Sequence, residues 1–333
     1  MFGIDKQLDT PINWLTIDKI LLLCLCICAA CFALYFAVRT KNTKRILITK
    51  IVFAGLLFCL EIGRMIWFTC RAGYYNMPLN VWTTINFHMC SMMVWVNILT
   101  LILSIIIKKQ NKFVDVLYNI IFGIGMLGGI ITFVYPQFIN GSYSIFHFRN
   151  LQSIITHIIL IVNPIFLYKT THFEIKMKNY WIIPLTFVAV GSISSFASIC
   201  GGANFAFAYR CELFTAFKLY IRAPWHILIV MLILCLIIFI IYLVICLIHK
   251  KKNNKPLFEV PNLFELITMI SIPIYTALHM LTFRLVYRTI FLAKGLYMLI
   301  PFVVEISFVV CTYWICKKKN KLSPISRKKK NSK

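Results

Sequence analysis

Acidic side chains are what this chain has least of: ten Asp and Glu in 333 residues, against 35 Lys and Arg, for a formal net charge of +25. A surplus of that size suggests nucleic acid as a partner, but its placement argues against it. Twenty-four of the basic residues lie in five connections between apolar runs, at 39–50, 108–112, 169–178, 250–255 and from 317 onward. Cations next to a membrane meet anionic lipid headgroups instead, so no nucleic acid is expected. A long polar insert is also missing, which excludes a separate soluble domain. There is no internal repeat of transporter type and no pair of CxxC motifs of the zinc-binding kind. No small-residue cleavage site follows the first apolar run, which therefore reads as an anchor and not as a removable leader.

What the chain has in abundance is apolar length. It is 60% hydrophobic, with a mean hydropathy of +0.83. Its runs of about 20 residues match a hydrocarbon layer of roughly 30 Å. Nine spans are predicted, near 20–39, 46–68, 82–107, 113–135, 149–168, 179–199, 224–248, 260–282 and 290–316. The expected fold is an all-α polytopic membrane helix bundle. It comprises a seven-span core over 1–250, a two-span extension over 251–316 and a basic tail over 317–333. Basic connections on alternate sides put the N-terminus outside and the C-terminus in the cytoplasm. Abundant Lys, Asn and Ile point to an AT-rich bacterial genome and hence to a plasma membrane. The partners expected are membrane lipids, with anionic headgroups at the cytoplasmic face.

Most of the thirteen cysteines fall inside spans, where Cys behaves as a small apolar residue. Cys24, Cys26 and Cys28 alternate at a spacing of two, so successive members point roughly 200° apart on a helix and cannot gather one metal. Cys70, Cys200 and Cys211 fall at the outer face, where a Cys200–Cys211 bridge could form. Neither a metal nor a cofactor is called for. The stretch Gly123–Gly128, GIGMLG, matches the letters of a dinucleotide fingerprint. It lacks the preceding strand that the fingerprint needs, and small residues on a membrane helix let a neighbouring backbone approach.

The stretch NFHMC, residues 86–90, offers an imidazole and a thiol. On one regular helix His88 and Cys90 face different directions, with His88 beside Thr84 and Ser91, and Cys90 beside Asn86 and Asn97. A nucleophilic Cys90 therefore needs its base from another span. By topology, Glu61 and Arg64 of the second span, His157 of the fifth with Asn150 and Ser153 on its face, and Gly125–Gly129 of the fourth all lie in the outer half. The outer loop adds Asn204, Arg210 and Glu212, and His226 opens the seventh span. Ionisable groups in hydrocarbon are costly and usually face a protein interior or a wet cavity. Their convergence at one depth suggests an outward-opening polar cavity among spans two, three, five and seven. Competing readings remain for each: Glu61 and Arg64, three apart, can simply neutralise one another. A lone intramembrane Cys is more often inert, and a lone His can be an interhelical contact. His279, Glu305, Arg284 and Arg288 have weaker support as site residues.

With LEIGR at 60–64, INFHMC at 85–90, GIGMLGGIITFVYPQF at 123–138, QSIITH at 152–157 and GANF at 202–205 in this order, the chain resembles the YwaF family of bacterial multi-pass proteins over about residues 10–250. Two departures stand out. Asn86 occupies the place of the family's proline before the histidine, and Phe205 that of its tyrosine. A related eukaryotic branch looks like lipid acyltransferases with an intramembrane cysteine. The resemblance implies Cys90 as acyl-accepting nucleophile and His157 as base, with Glu61 or His88 orienting the base or binding a headgroup. His88, Arg64, Asn86, Asn204 and Arg210 are the candidate substrate-binding residues. Three functions compete: acyl transfer or hydrolysis on a lipid, transport or binding of a small solute, and a non-catalytic scaffold. Against transport, the third span below Asn97 reads ILTLILSIII, with little polar lining. Asp115, Asn119 and Asn163 keep it open.

Overall fold

The computed structural model describes residues 17–39, 42–107, 111–134, 143–144, 146–171, 173–201, 205 and 225–253. All regular elements among them are helical: α1 Ile17–Arg39, α2 Thr43–Tyr74, α3 Val81–Ile85, α4 Met89–Ile106 and α5 Lys112–Ile120. A π-helical turn, Ile121–Gly125, leads into α6 Met126–Val134. After it come α7 Phe148–Thr170, α8 Ile182–Gly201 and α9 Trp225–Asn253. Among the described residues, five helical stretches are long and apolar enough to cross a membrane: Thr43–Tyr74, Met89–Ile106, Lys112–Phe133, Phe148–Thr170 and Met177–Ser198. Shorter apolar helical segments run over Ile27–Phe36 and Leu232–Ile248. The spans read at 260–282 and 290–316 lie outside the described residues. The chain divides into two compact units, residues 1–175 with 200–206, and residues 176–199 with 207–333.

Asparagine starts three of the helices in the first unit. Asn42, Asn80 and Asn111 each accept backbone N–H bonds from the first turn of α2, α3 and α5, satisfying donors that a helix start otherwise leaves open. The packing is inverted relative to a soluble bundle. On α2 the buried stripe is Lys50, Ala54, Leu57, Glu61, Arg64 and Trp67, while Ile48, Ile51, Val52 and Phe58 point outward. On α4 Ser91, Asn97 and Thr100 are buried, and Leu99, Ile102 and Ile106 face out. Apolar side chains outside and polar ones inside suit a hydrocarbon solvent, where polar groups must find partners within the protein. This is an integral membrane protein.

Contacts between side chains give the helix directions. Early α2 meets late α4 through Lys50 Nζ, which donates to the Ser104 carbonyl at 3.2 Å. Late α2 meets the start of α7, where the Trp67 and His147 rings are 6.0 Å apart, and early α2 meets late α7 through Phe53 and Phe166. So α4 and α7 both run opposite to α2 and parallel to each other. The described part of the second unit is held by Tyr180, whose hydroxyl donates to the Cys235 carbonyl at 2.7 Å and whose ring packs on Phe239 and Tyr242 of α9. Cys28 and Cys31, spaced as a single CxxC, both face outward from α1.

Candidate functional site

The continuous third span expected over 82–107 is broken. Helix α3 ends at Ile85, and α4 begins at Met89. Between them Asn86 has φ 61°, a left-handed value that Asn tolerates better than most residues. Its side chain ties the turn: Nδ2 donates to Ser91 Oγ at 2.8 Å, and Oδ1 accepts the His88 backbone N–H at 3.3 Å. The expected sharing of faces, His88 with Thr84 and Cys90 with Asn86, is therefore lost. Sharing a face requires one continuous helix, and the break lies between those residues. Cys90 and Asn97 remain on one face of α4.

The buried ion pair of α2 supports this break. Glu61 and Arg64 are 1% and 4% exposed. Arg64 Nη2 bonds Glu61 Oε1 at 2.6 Å, and Nε bonds Oε2 at 3.1 Å. The same Nη2 also donates to the carbonyls of Thr84 and Ile85, both at 2.9 Å. A guanidinium can hold a carboxylate and a helix end at once because its donors form a planar fork. Glu61 thus engages Arg64 with both oxygens, and through it fixes the end of α3. The Arg64 pairing is the neutralising arrangement that the spacing allowed.

Cys90 and His157 meet the same short stretch of α6. Cys90 Sγ lies 4.0 Å from the Gly128 carbonyl. A methyl group on Gly128 would sit 3.4 Å from that sulfur, and one on Gly129 would sit 2.9 Å from the His157 carbonyl. A methyl on Gly125, in the π-helical turn, would lie 3.3 Å from Asn97 Nδ2. These glycines let α4 and α7 approach α6, as small residues do in membrane bundles. One level further along, Asn163 Nδ2 donates to Asn97 Oδ1 at 2.8 Å, which fixes the register of the parallel helices α4 and α7. Cys90 precedes Asn97 by two turns, and His157 precedes Asn163 by nearly two, so the two residues stand at about one level, with the Cys90 thiol facing Gly128 and the His157 backbone facing Gly129.

The His157 ring is held by its own helix. Nδ1 lies 2.7 Å from the Ser153 carbonyl, which can only accept, so Nδ1 carries the proton. In the neutral ring that leaves Nε2 as a bare acceptor, and Nε2 is buried with no partner among the described residues. Asn150 does not join it: its amide donates to the Tyr143 and Ser144 carbonyls, both at 3.0 Å, closing the turn before α7. His88 caps the start of α4 with extended backbone, and its ring packs edge-on against Phe205 at 5.3 Å. Phe205 is buried and also packs on Phe87. Asn80 Nδ2 holds the preceding backbone by donating to the Gly201 carbonyl at 2.9 Å.

Asn204, Arg210, Glu212 and Cys211, with the conceivable Cys200 bridge, lie outside the described residues, as do His279, Arg284, Arg288 and Glu305. The same is true of the His226 side chain. Three residues that no motif marked, Trp67, Arg71 and Arg149, stand at the same end of the bundle as Arg64. A signal for them existed: arginines beside aromatic residues near the end of one apolar run and the start of another.

Set against known proteins, residues 12–242 match the model of the TMEM164 family. The chain belongs to this family of multi-pass membrane proteins. No curated protein and no solved structure matches it.

Proposed function

We propose that this member of the TMEM164 family is a membrane-embedded enzyme that transfers or hydrolyses an acyl group of a lipid, with Cys90 as nucleophile and His157 as its base. The observation that carries this reading is the buried Nε2 of His157, an acceptor without a partner among the described residues, on a residue that stands at the level of Cys90 in the bundle. A thiol becomes a nucleophile when a base takes its proton. In the proposed step His157 Nε2 accepts the Cys90 proton as sulfur bonds the ester carbonyl carbon. The carbon–oxygen bond then breaks, and the imidazolium returns the proton to the departing alcohol. An acceptor hydroxyl or water removes the acyl group from sulfur by the same route in reverse. Glu61 contributes through Arg64, which positions the turn that carries Asn86, His88 and Cys90. Apo spacing between such groups often tightens only around substrate.

In this reading the chain has nine spans with its N-terminus outside, supported by the alternating basic connections. The YwaF-like motif order agrees with the acyl-transfer chemistry, and the composition favours a bacterial plasma membrane. Transport draws less support: Asn97 and Asn163 bond each other, the Asn119 amide donates to the Asp115 carbonyl at 2.7 Å, and the Thr100 hydroxyl to that of Val96 at 2.6 Å. Those groups bind neighbours and leave little to line a path. The test compares the lipids of cells producing the wild type with those producing Cys90→Ala and His157→Ala at equal levels. The reading expects a shift in lysolipid or acyl-chain distribution with the wild type that both variants abolish. Identical lipids in all three would overturn it in favour of transport or a scaffold.

A further inference from the structure

Late α2 and the start of α7 carry a second cluster, distinct from the thiol and imidazole. The Arg149 guanidinium lies 4.5 Å from the centre of the Phe68 ring and 5.6 Å from that of Trp67. Arg64 lies 5.6 Å from Phe68, and Arg71 lies 5.5 Å from Trp67. Trp67 meets Tyr143 edge-on at 5.8 Å, and Tyr143 stacks on His147 at 4.2 Å. Three guanidiniums thus gather around two adjacent rings, held in place by cation–π contact.

Among the described residues the cluster has a surplus of positive charge and of donors. Glu61 balances Arg64, and the only other acid between residues 62 and 173 is Asp115. It sits in the first turn of α5, a helix that follows the far end of α4. Four buried donors have no partner among the described residues: Arg64 Nη1, Arg71 Nε, Trp67 Nε1 and the Tyr143 hydroxyl. Arg64, Trp67 and Tyr143 are 4%, 1% and 0% exposed. The unmet groups in this cluster all donate, whereas a buried polar group normally finds its partner. A ligand that satisfies them must be rich in acceptors and negative. The start of the 23-residue α7, capped by the His147 ring through the Arg149 N–H at 3.2 Å, adds the positive end of a helix dipole. Planar guanidiniums are suited to phosphate oxygens.

We propose that Arg64, Arg71, Arg149, Trp67 and Tyr143 form a phosphate-binding site, which takes either the phosphodiester of a phospholipid headgroup or free phosphate. The site does not depend on Cys90 being reactive. The test uses the purified full-length chain in an uncharged detergent, titrated separately with short-chain phosphatidylglycerol, diacylglycerol of the same chains, and inorganic phosphate. Arg71→Gln with Arg149→Gln removes two charge-assisted bonds and lowers phosphatidylglycerol affinity by about tenfold or more. The Lys pair at these positions retains more affinity than the Gln pair, and Cys90→Ala binds as the wild type does. Tyr143→Phe weakens binding without changing charge, so it carries the test if the Gln pair fails to fold. Binding of the lipid with no competition from millimolar phosphate identifies a headgroup site, and full competition identifies a free-anion site. Diacylglycerol binding as tightly as phosphatidylglycerol, or unchanged affinity in the Gln pair or in Tyr143→Phe, would overturn the proposal.

Discussion

Two polar layers of the same bundle are built on opposite terms. At the Asn97–Asn163 layer, the Asn97 carboxamide uses both of its atoms: Nδ2 donates to the Met93 carbonyl at 2.8 Å, and Oδ1 accepts from Asn163. Among the described residues, only Asn163 Oδ1 is left over there. From the Cys90–His157 level to the Trp67 cluster, five buried atoms stand without partners among the described residues: His157 Nε2, Arg64 Nη1, Arg71 Nε, Trp67 Nε1 and Tyr143 Oη. Unmet capacity in a low-dielectric interior is costly. Interhelical glue uses most of its hydrogen bonds, as the asparagine layer does apart from Asn163 Oδ1. A site that must receive something keeps some of them open. The contrast separates atoms bonded within the bundle from atoms with no partner among the described residues.

Four substitutions break or sharpen that contrast, measured as unfolding free energy of the reconstituted chain. The largest effect belongs to Arg64→Met, which strands the buried Glu61 carboxylate and frees the α3 carbonyls; the expected loss is about 3–5 kcal/mol. Adding Glu61→Gln should recover part of it, and failure to recover any would show that the carbonyl contacts dominate. Gly129→Ala comes next. Its methyl would sit 2.9 Å from the His157 backbone and 2.7 Å from Ile161 Cγ1, and forced overpacking costs about 1–3 kcal/mol. Asn163→Leu removes one interhelical bond, worth roughly 0.6 kcal/mol in a membrane bundle and up to about 1.7. Gly128→Ala meets only the Cys90 sulfur at ordinary contact distance, so its stability should stay within about 0.5 kcal/mol of the wild type. A larger loss at Gly128 than at Gly129 would contradict the described packing.

Much of the bundle was legible because hydrocarbon imposes a simple code: long apolar runs become helices, and polar residues within them turn inward. The glycines at 125–129 read correctly as a close-approach surface, since no strand precedes them. The break at 86–88 was not legible from propensity, as Asn-Phe-His contains neither proline nor glycine. A proline at position 86 would have marked it. Proline would stop the helix by losing a donor, and here Asn86 does so through positive φ and its own side-chain bonds. Spacing alone could not decide what Glu61 does, because an i, i+3 pair also permits both groups to face a cavity. Arg71 and Arg149 escaped notice because each reads singly as an interfacial cation. What groups them is the antiparallel pairing of α2 with α7, a long-range fact.

The central claim is that the open acceptor on His157 serves the Cys90 thiol. It is tested most directly by labelling the membrane-embedded chain with a lipid-like thiol-reactive probe and locating the modified cysteine by mass spectrometry. The account predicts rapid modification of Cys90 in the wild type and a drop of about a hundredfold or more in its rate for His157→Ala, the usual scale for loss of a positioned base. Asn163→Leu should leave the rate close to that of the wild type. Equal labelling of Cys90 in the wild type and in a folded His157→Ala variant, or no labelling of Cys90 at all, would contradict it.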